Sequence, residues 1–175
     1  MALAVVASGC SDGSPDATPL VPADGTNTST TLVAEPGLVA PVGYTAVTVV
    51  VTQPDGSVQE WCLWLADESA ERSRGLMNVT DPDLGGKAGM VFTYETDTSN
   101  GYWMRDTPLP LTIAYVAADG SVVSTADMEP CPEDAETCPS YPPDGPYRYA
   151  VEVPQGRLDD LGIVDGSRVT LGDAC

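Results

Sequence analysis

The sequence predicts a mainly β domain: a small closed or partly open barrel or sandwich of seven or eight short strands, with one or two short helices. Three observations predict it. Thr45 to Thr52, TAVTVVVT, is a β-branched run suited to a pleated, packed surface. Turn signals recur at short intervals, at Gln53-Pro54-Asp55-Gly56 and again at Ala118-Asp119-Gly120. Between them Gly101 to Val116, GYWMRDTPLPLTIAYV, concentrates aromatics, a methionine, an Arg-Asp pair and two prolines before an apolar strand.

Taken in order, Thr45 to Thr52 is the first strand, and the Pro-Asp-Gly turn sends the chain back through Val58 to Ala66, VQEWCLWLA. The centre of that return strand is apolar at both parities, which argues burial on both faces. Asp67 is the expected cap of a short helix from Glu68 to Arg74, ended by Gly75, with Glu68 and Arg72 spaced to pair. Asp81 to Gly89 is a turn, and Met90 to Glu95 a strand. Gly101 to Arg105 is extended, Thr107 to Pro110 bends, and Leu111 to Ala117 runs into the hairpin turn before Ser121 to Met128. Tyr147 to Val153 and Arg168 to Leu171 are further strands, with a helical turn between Gly156 and Leu161.

The N-terminal third differs in kind. Met1 to Gly9 is small and apolar and ends at Cys10, so Ala7-Ser8-Gly9-Cys10 resembles the lipobox of a bacterial lipoprotein signal. The run is too short to span a bilayer core of about 30 Å, and the signal reading expects further residues upstream of Met1. Residues 11–43 are rich in Pro, Ser, Thr, Gly, Asp and Ala without periodicity, which is the composition of a disordered tether. The expected organisation is therefore a signal remnant over residues 1–10, a tether over 11–43 and a β domain over 44–175. The expected location is the outer face of the cell membrane, with a lipid on Cys10.

Composition narrows the chemistry. Seven Lys and Arg stand against 26 Asp and Glu, a formal net charge of -19, which repels nucleic acid and anionic headgroups. With no histidine, Ser-His-Asp and Cys-His catalysis are excluded, and the commonest zinc ligand is missing. Lys87 lies in a glycine-rich turn without a P-loop pattern and is expected to be solvated. Carboxylate chemistry remains open, but no spacing among the acids singles out a hydrolytic pair. No cofactor is expected, and the folded part is expected to be a monomer.

Setting Cys10 aside leaves four cysteines, an even number suited to an oxidising compartment. They allow three connectivities. A local bridge Cys131–Cys138 around a Pro- and Glu-rich loop, with Cys62–Cys175 tying the chain end to the second strand, is the expected one. Metal binding by these cysteines lacks any CxxC spacing. Met77, Met90, Met104 and Met128 form a thioether set that suits Cu(I), against the commoner role of methionine as core filler.

Several motifs together resemble the DUF192 family, also called UPF0127. They are Arg74-Gly75-Leu76-Met77, Gly89-Met90-Val91-Phe92 and Tyr102-Trp103-Met104-Arg105-Asp106-Thr107, then Pro110-Leu111, Ala118-Asp119-Gly120 and Glu129-Pro130-Cys131. The resemblance runs from about Thr48 to Leu171 and implies a compact, largely β domain, often exported, without bringing an activity. The family usually has asparagine at the position of Asp106 and aspartate at that of Thr112. That exchange suggests one carboxylate moved within a shared site.

The candidate ligand residues are Arg74, Trp103, Arg105, Asp106, Thr107 and Thr112. Alternation puts Trp103 and Arg105 on one face of the extended segment, with Tyr102 and Met104 on the other. Trp103 could stack on a small polar ligand while Arg105, oriented by Asp106, holds a carboxylate or sugar. The competing structural reading has Trp103 in the core and the Arg-Asp pair bracing a kinked strand. The expected function is a binding or accessory module for a small polar ligand or envelope component. A hydrolase or lyase using Asp106 with Arg105 is the alternative.

Overall fold

The computed structural model describes residues 37–175, so Cys10 and the first part of the expected tether lie outside the described residues. Nine strands are present among them: β1 (Thr45–Thr52), β2 (Val58–Ala66), β3 (Met90–Thr98), β4 (Tyr102–Trp103), β5 (Leu111–Val116), β6 (Val122–Met128), β7 (Ser140–Tyr141), β8 (Tyr147–Pro154) and β9 (Arg168–Ala174). One helix, α1 (Ser69–Arg74), follows β2, and a 3-10 turn spans Asp159–Leu161.

Seven strands form one sheet in the order β6-β5-β8-β3-β2-β1-β9, and β4 with β7 makes a small second sheet. The pairing of β2 with β3 is parallel and every other strand pair is antiparallel. A parallel neighbour needs a crossover, and here the crossover carries α1. The mainly β expectation holds, but the sheet is not closed into a barrel. Its edge strands approach only at the bridge Ser121–Arg168, where the Val169 N–H donates to the Gly120 carbonyl at 2.8 Å. Gly120 sits at φ +86°, and a Cβ there would stand 2.6 Å from the Val169 carbonyl oxygen. The closest approach of the two edges thus depends on a residue without a side chain.

Two apolar clusters pack on the two faces of the sheet. Val47, Val49 and Val51 alternate into one, joined by Val151, Val153 and the Leu158–Ile163 segment. Leu111, Ile113 and Tyr115 point into the other with Met90, Phe92 and Met104. Strand β5 is buried at every position because Ala114 and Val116 serve the first cluster while their neighbours serve the second. That explains its almost continuous apolar sequence.

Local details differ from the sequence expectation in three places. The N-cap of α1 is Glu68 rather than Asp67, and the Glu71 carboxylate accepts from the Asp67 and Glu68 N–H groups at 3.2 Å each. Arg72 does not pair with Glu68; its Nη1 donates to the carbonyls of Asp67 and, at 3.0 Å, Thr93. Extended structure after Gly101 stops at Trp103, because Arg105-Asp106 is a turn with Asp106 at φ 55°. Val39 also exchanges hydrogen bonds with Thr80 at 2.9 Å in both directions, so the chain is held to the domain from Val39 onward.

Both expected cysteine pairs are bonded. Cys62 and Cys175 have S–S 2.03 Å, and Cys131 and Cys138 have 2.08 Å. The first joins mid-β2 to the end of β9 across β1. The second closes the loop ahead of β7. Two disulfides point to an oxidising, extracytoplasmic environment. Among the described residues, no helix is long and apolar enough to cross a membrane.

Candidate functional site

A pocket of about 470 Å³ lies between α1, the Asn100–Met104 segment and one face of the sheet. Its formation follows from the aromatic pattern of the central stretch. Tyr102 turns inward, meeting Phe92 edge-on at 5.1 Å and Tyr115 at 6.0 Å, and its hydroxyl lies 2.9 Å from that of Tyr94. The Tyr147 hydroxyl donates to the Asn100 carbonyl at 2.9 Å, and the Tyr115 hydroxyl to that of Tyr141. These contacts hold the segment over the sheet. Gly101 lets it pass close to β7, where a Cβ would meet Ser140 Oγ at 2.6 Å and the Tyr141 carbonyl at 3.1 Å. Burial raises the hydroxyl pKa of Tyr102, Tyr115 and Tyr147, so all three stay neutral donors.

At the base of the pocket is Glu152, only 4% exposed. Strand pairing dictates its position: on β8 it stands between Met90 of β3 and Ile113 of β5, both wholly buried. No group among the described residues hydrogen-bonds its carboxyl, and desolvation alone pushes its pKa up to about 8. No side-chain oxygen or nitrogen there is sealed away without a partner, so this unpartnered carboxyl opens onto the pocket. It is the one carboxylate among the described residues lining that space, where glycoside hydrolysis by a carboxylate pair needs two.

Two cationic side chains share the lining. Arg72 and Arg74 of α1 both line the pocket. Arg72 lies over the Tyr94 ring at 5.1 Å, and Arg74 over the Tyr44 ring at 4.3 Å. Arg74 Nε donates to the Tyr44 hydroxyl at 2.8 Å and Nη2 to the Val42 carbonyl at 3.1 Å. The ion pairs among the described residues join Arg148 to Asp97, Arg157 to Asp160 and Arg168 to Asp119. Neither pocket arginine has a carboxylate partner there, although the chain carries 26 acids.

Of the residues singled out by sequence, Arg74, Trp103 and Thr107 line the pocket, and Arg105, Asp106 and Thr112 do not. Trp103 is 55% exposed and Met104 is buried, but the predicted alternation does not reach Arg105, which lies in the turn beyond the strand. Arg105 reaches over the Trp103 ring at 5.9 Å and donates to the Glu136 carbonyl at 3.4 Å. The Asp106 carboxylate does not orient Arg105; the contact of that residue is its carbonyl, which accepts from the Asn78 N–H at 2.7 Å. Its left-handed backbone is one that Asp and Asn tolerate, which accounts for either residue there without reference to charge. Thr112 faces the other side of β5, donating to Asp127 Oδ1 at 2.5 Å and accepting from the Gly156 N–H at 2.8 Å. The two exchanged positions therefore have separate partners. Met90, Met104 and Met128 are fully buried in the apolar cluster, and Met77 is half-buried at the pocket wall.

Sequence reasoning missed Glu152, Arg72 and Tyr94. The available signal for Glu152 was a lone acid in the otherwise apolar run Ala150-Val151-Glu152-Val153, at the centre of a strand.

The fold and site define an open, strongly curled β-sheet domain with one aromatic pocket and a buried acid at its base. The model of the family DUF192, described as "Uncharacterized ACR", matches residues 50–171, and the chain belongs to this family. Two solved structures are similar. One is a protein of unknown function from Novosphingobium aromaticivorans DSM 12444, at 33% identity and TM-score 0.62, covering 79% of this chain and 94% of that one. The other is described as a "putative transcription regulator" from Sinorhizobium meliloti 1021, at 25% identity and TM-score 0.61, covering 75% and 98%. No curated protein matches.

Proposed function

We propose that this chain is a small-molecule binding module, with the pocket over Glu152 as its ligand site. The observation that carries the reading is the buried, unpartnered Glu152 carboxyl opening into an aromatic pocket. Burying an acid without a partner costs stability, and a ligand group that hydrogen-bonds it offsets that cost. Native mass spectrometry of protein prepared from its own cell envelope, with a thermal-shift screen of small polar compounds, tests it. A bound compound weakened by Glu152→Gln and Trp103→Ala supports the pocket. Binding unchanged in both variants, or no binding at all, rejects it.

The module works outside the cytoplasm in this reading, held to the membrane by a lipid on Cys10 with the residues between Cys10 and Val39 as a tether. Cys10→Ser should release it from the membrane fraction; retention there would overturn the anchor. Unlike the description of the Sinorhizobium relative, this module does not act on DNA in this reading, because a chain of net charge -19 repels a phosphate backbone. Any DNA retardation at physiological salt would contradict this.

A further inference from the structure

We infer that the ligand is a zwitterion of amino-acid type, its ammonium bound at Glu152 and its carboxylate at Arg72. This rests on the pocket reading above and adds the chemical class. The pocket presents a buried acid and a guanidinium, neither with an ion-pair partner among the described residues. Arg72 is fixed by its Nη1, which donates to the Asp67 and Thr93 carbonyls. Its Nε–H and both Nη2 hydrogens have no partner among the described residues, and that edge of a guanidinium is the one that receives a carboxylate bidentately.

An anion alone would satisfy Arg72 and leave the acid unpaired. A cation alone would satisfy Glu152 but would lie beside two guanidinium groups. A molecule with both charges satisfies both ends, and Phe92, Tyr94 and Tyr102 provide apolar walls for its body. The other titratable groups that interact with Glu152 are the hydroxyls of Tyr44, Tyr102 and Tyr115, each with a raised pKa and so neutral at pH 7. Glu152 is then the group that gives up a proton when an ammonium arrives, passing it to bulk buffer as the carboxylate–ammonium pair forms.

The test is calorimetry at pH 7 with the common amino acids and with phenethylamine and 3-phenylpropanoate, which carry the ammonium and the carboxylate alone. At least one amino acid should bind at least tenfold more tightly than either single-charge probe. Titrations in two buffers of different protonation enthalpy should show proton release approaching one per ligand, a readout that needs no variant. Glu152→Gln should abolish the release, and Arg72→Lys should weaken amino-acid binding tenfold or more while leaving phenethylamine unaffected. If neutral sugars or single-charge compounds bind in a Glu152-dependent manner and amino acids do not, the zwitterion inference falls and the pocket reading stands. If no compound binds, both fall.

Discussion

Glu152 on β8 stands directly across the ladder from Ile113 on β5, a side chain with no exposure. The acid is thus held against hydrocarbon, and its pKa rises from the ordinary 4.5 to about 8. The folded protein therefore binds one more proton than the unfolded chain between those values, so stability falls as pH rises across that window. The loss is nearly complete above pH 8 and approaches about 5 kcal/mol. Denaturant unfolding at pH 5 and pH 8.5 should find Glu152→Gln close to the parent at the lower pH and clearly more stable at the higher. The comparison cancels the general repulsion of an acidic chain, which both proteins share. Parallel pH profiles would mean that the acid is solvated.

The two disulfides should contribute unequally. Cys62 and Cys175 are separated by 113 positions and Cys131 and Cys138 by 7. Constraining the longer loop removes more freedom from the unfolded chain, about 4–5 kcal/mol against roughly 2–3 kcal/mol for the shorter. Paired Cys→Ser variants compared by urea unfolding should preserve that order. Equal losses would place the contribution of the long bridge elsewhere than in loop closure.

The sequence was most legible where the signal is local. Thr45–Thr52 and Val58–Ala66 were bounded to the residue because β-branching and a Pro-Asp-Gly turn act over a few positions. The two-residue pairing of Tyr102-Trp103 with Ser140-Tyr141 was invisible, since strands that short have no period. Closure into a barrel could not be judged either, because it depends on accumulated twist and on whether β6 and β9 meet along their length. The candidate site was half legible. Trp103 and Arg74 were found from the sequence, whereas Glu152 is marked there only as a lone acid in an apolar run, and its burial is a property of the β3-β8-β5 pairing. Asp106 misled for the opposite reason: its chemistry drew notice, but its backbone conformation explains the residue.

Two glycines make a controlled pair. Gly56 and Gly120 both sit at φ +86°, but a Cβ on Gly56 would meet nothing within 4 Å, whereas one on Gly120 would stand 2.6 Å from the Val169 carbonyl oxygen. Gly56→Ala should cost only the left-handed strain, about 1–2 kcal/mol. Gly120→Ala adds a backbone clash and should cost about 2–4 kcal/mol while loosening the β6–β9 contact. Hydrogen exchange at the Val169 amide, which donates to Gly120, reads that loosening directly. Equal costs for the two substitutions would show that the sheet edges do not meet at this point.

Adjacent residues on the Asn100–Met104 segment give the last contrast. Trp103 is 55% exposed and Met104 is 1% exposed, packed with Phe92, Leu111 and Tyr115. Truncating the methionine removes buried methylenes and leaves a cavity, at a cost of about 2–5 kcal/mol. Truncating the tryptophan removes mostly solvated surface, so Trp103→Ala should stay within about 1 kcal/mol of the parent. That outcome would leave the exposed ring free to serve the pocket it lines rather than the fold. A loss of several kcal/mol on Trp103→Ala would return that ring to the core and remove its place in the ligand site.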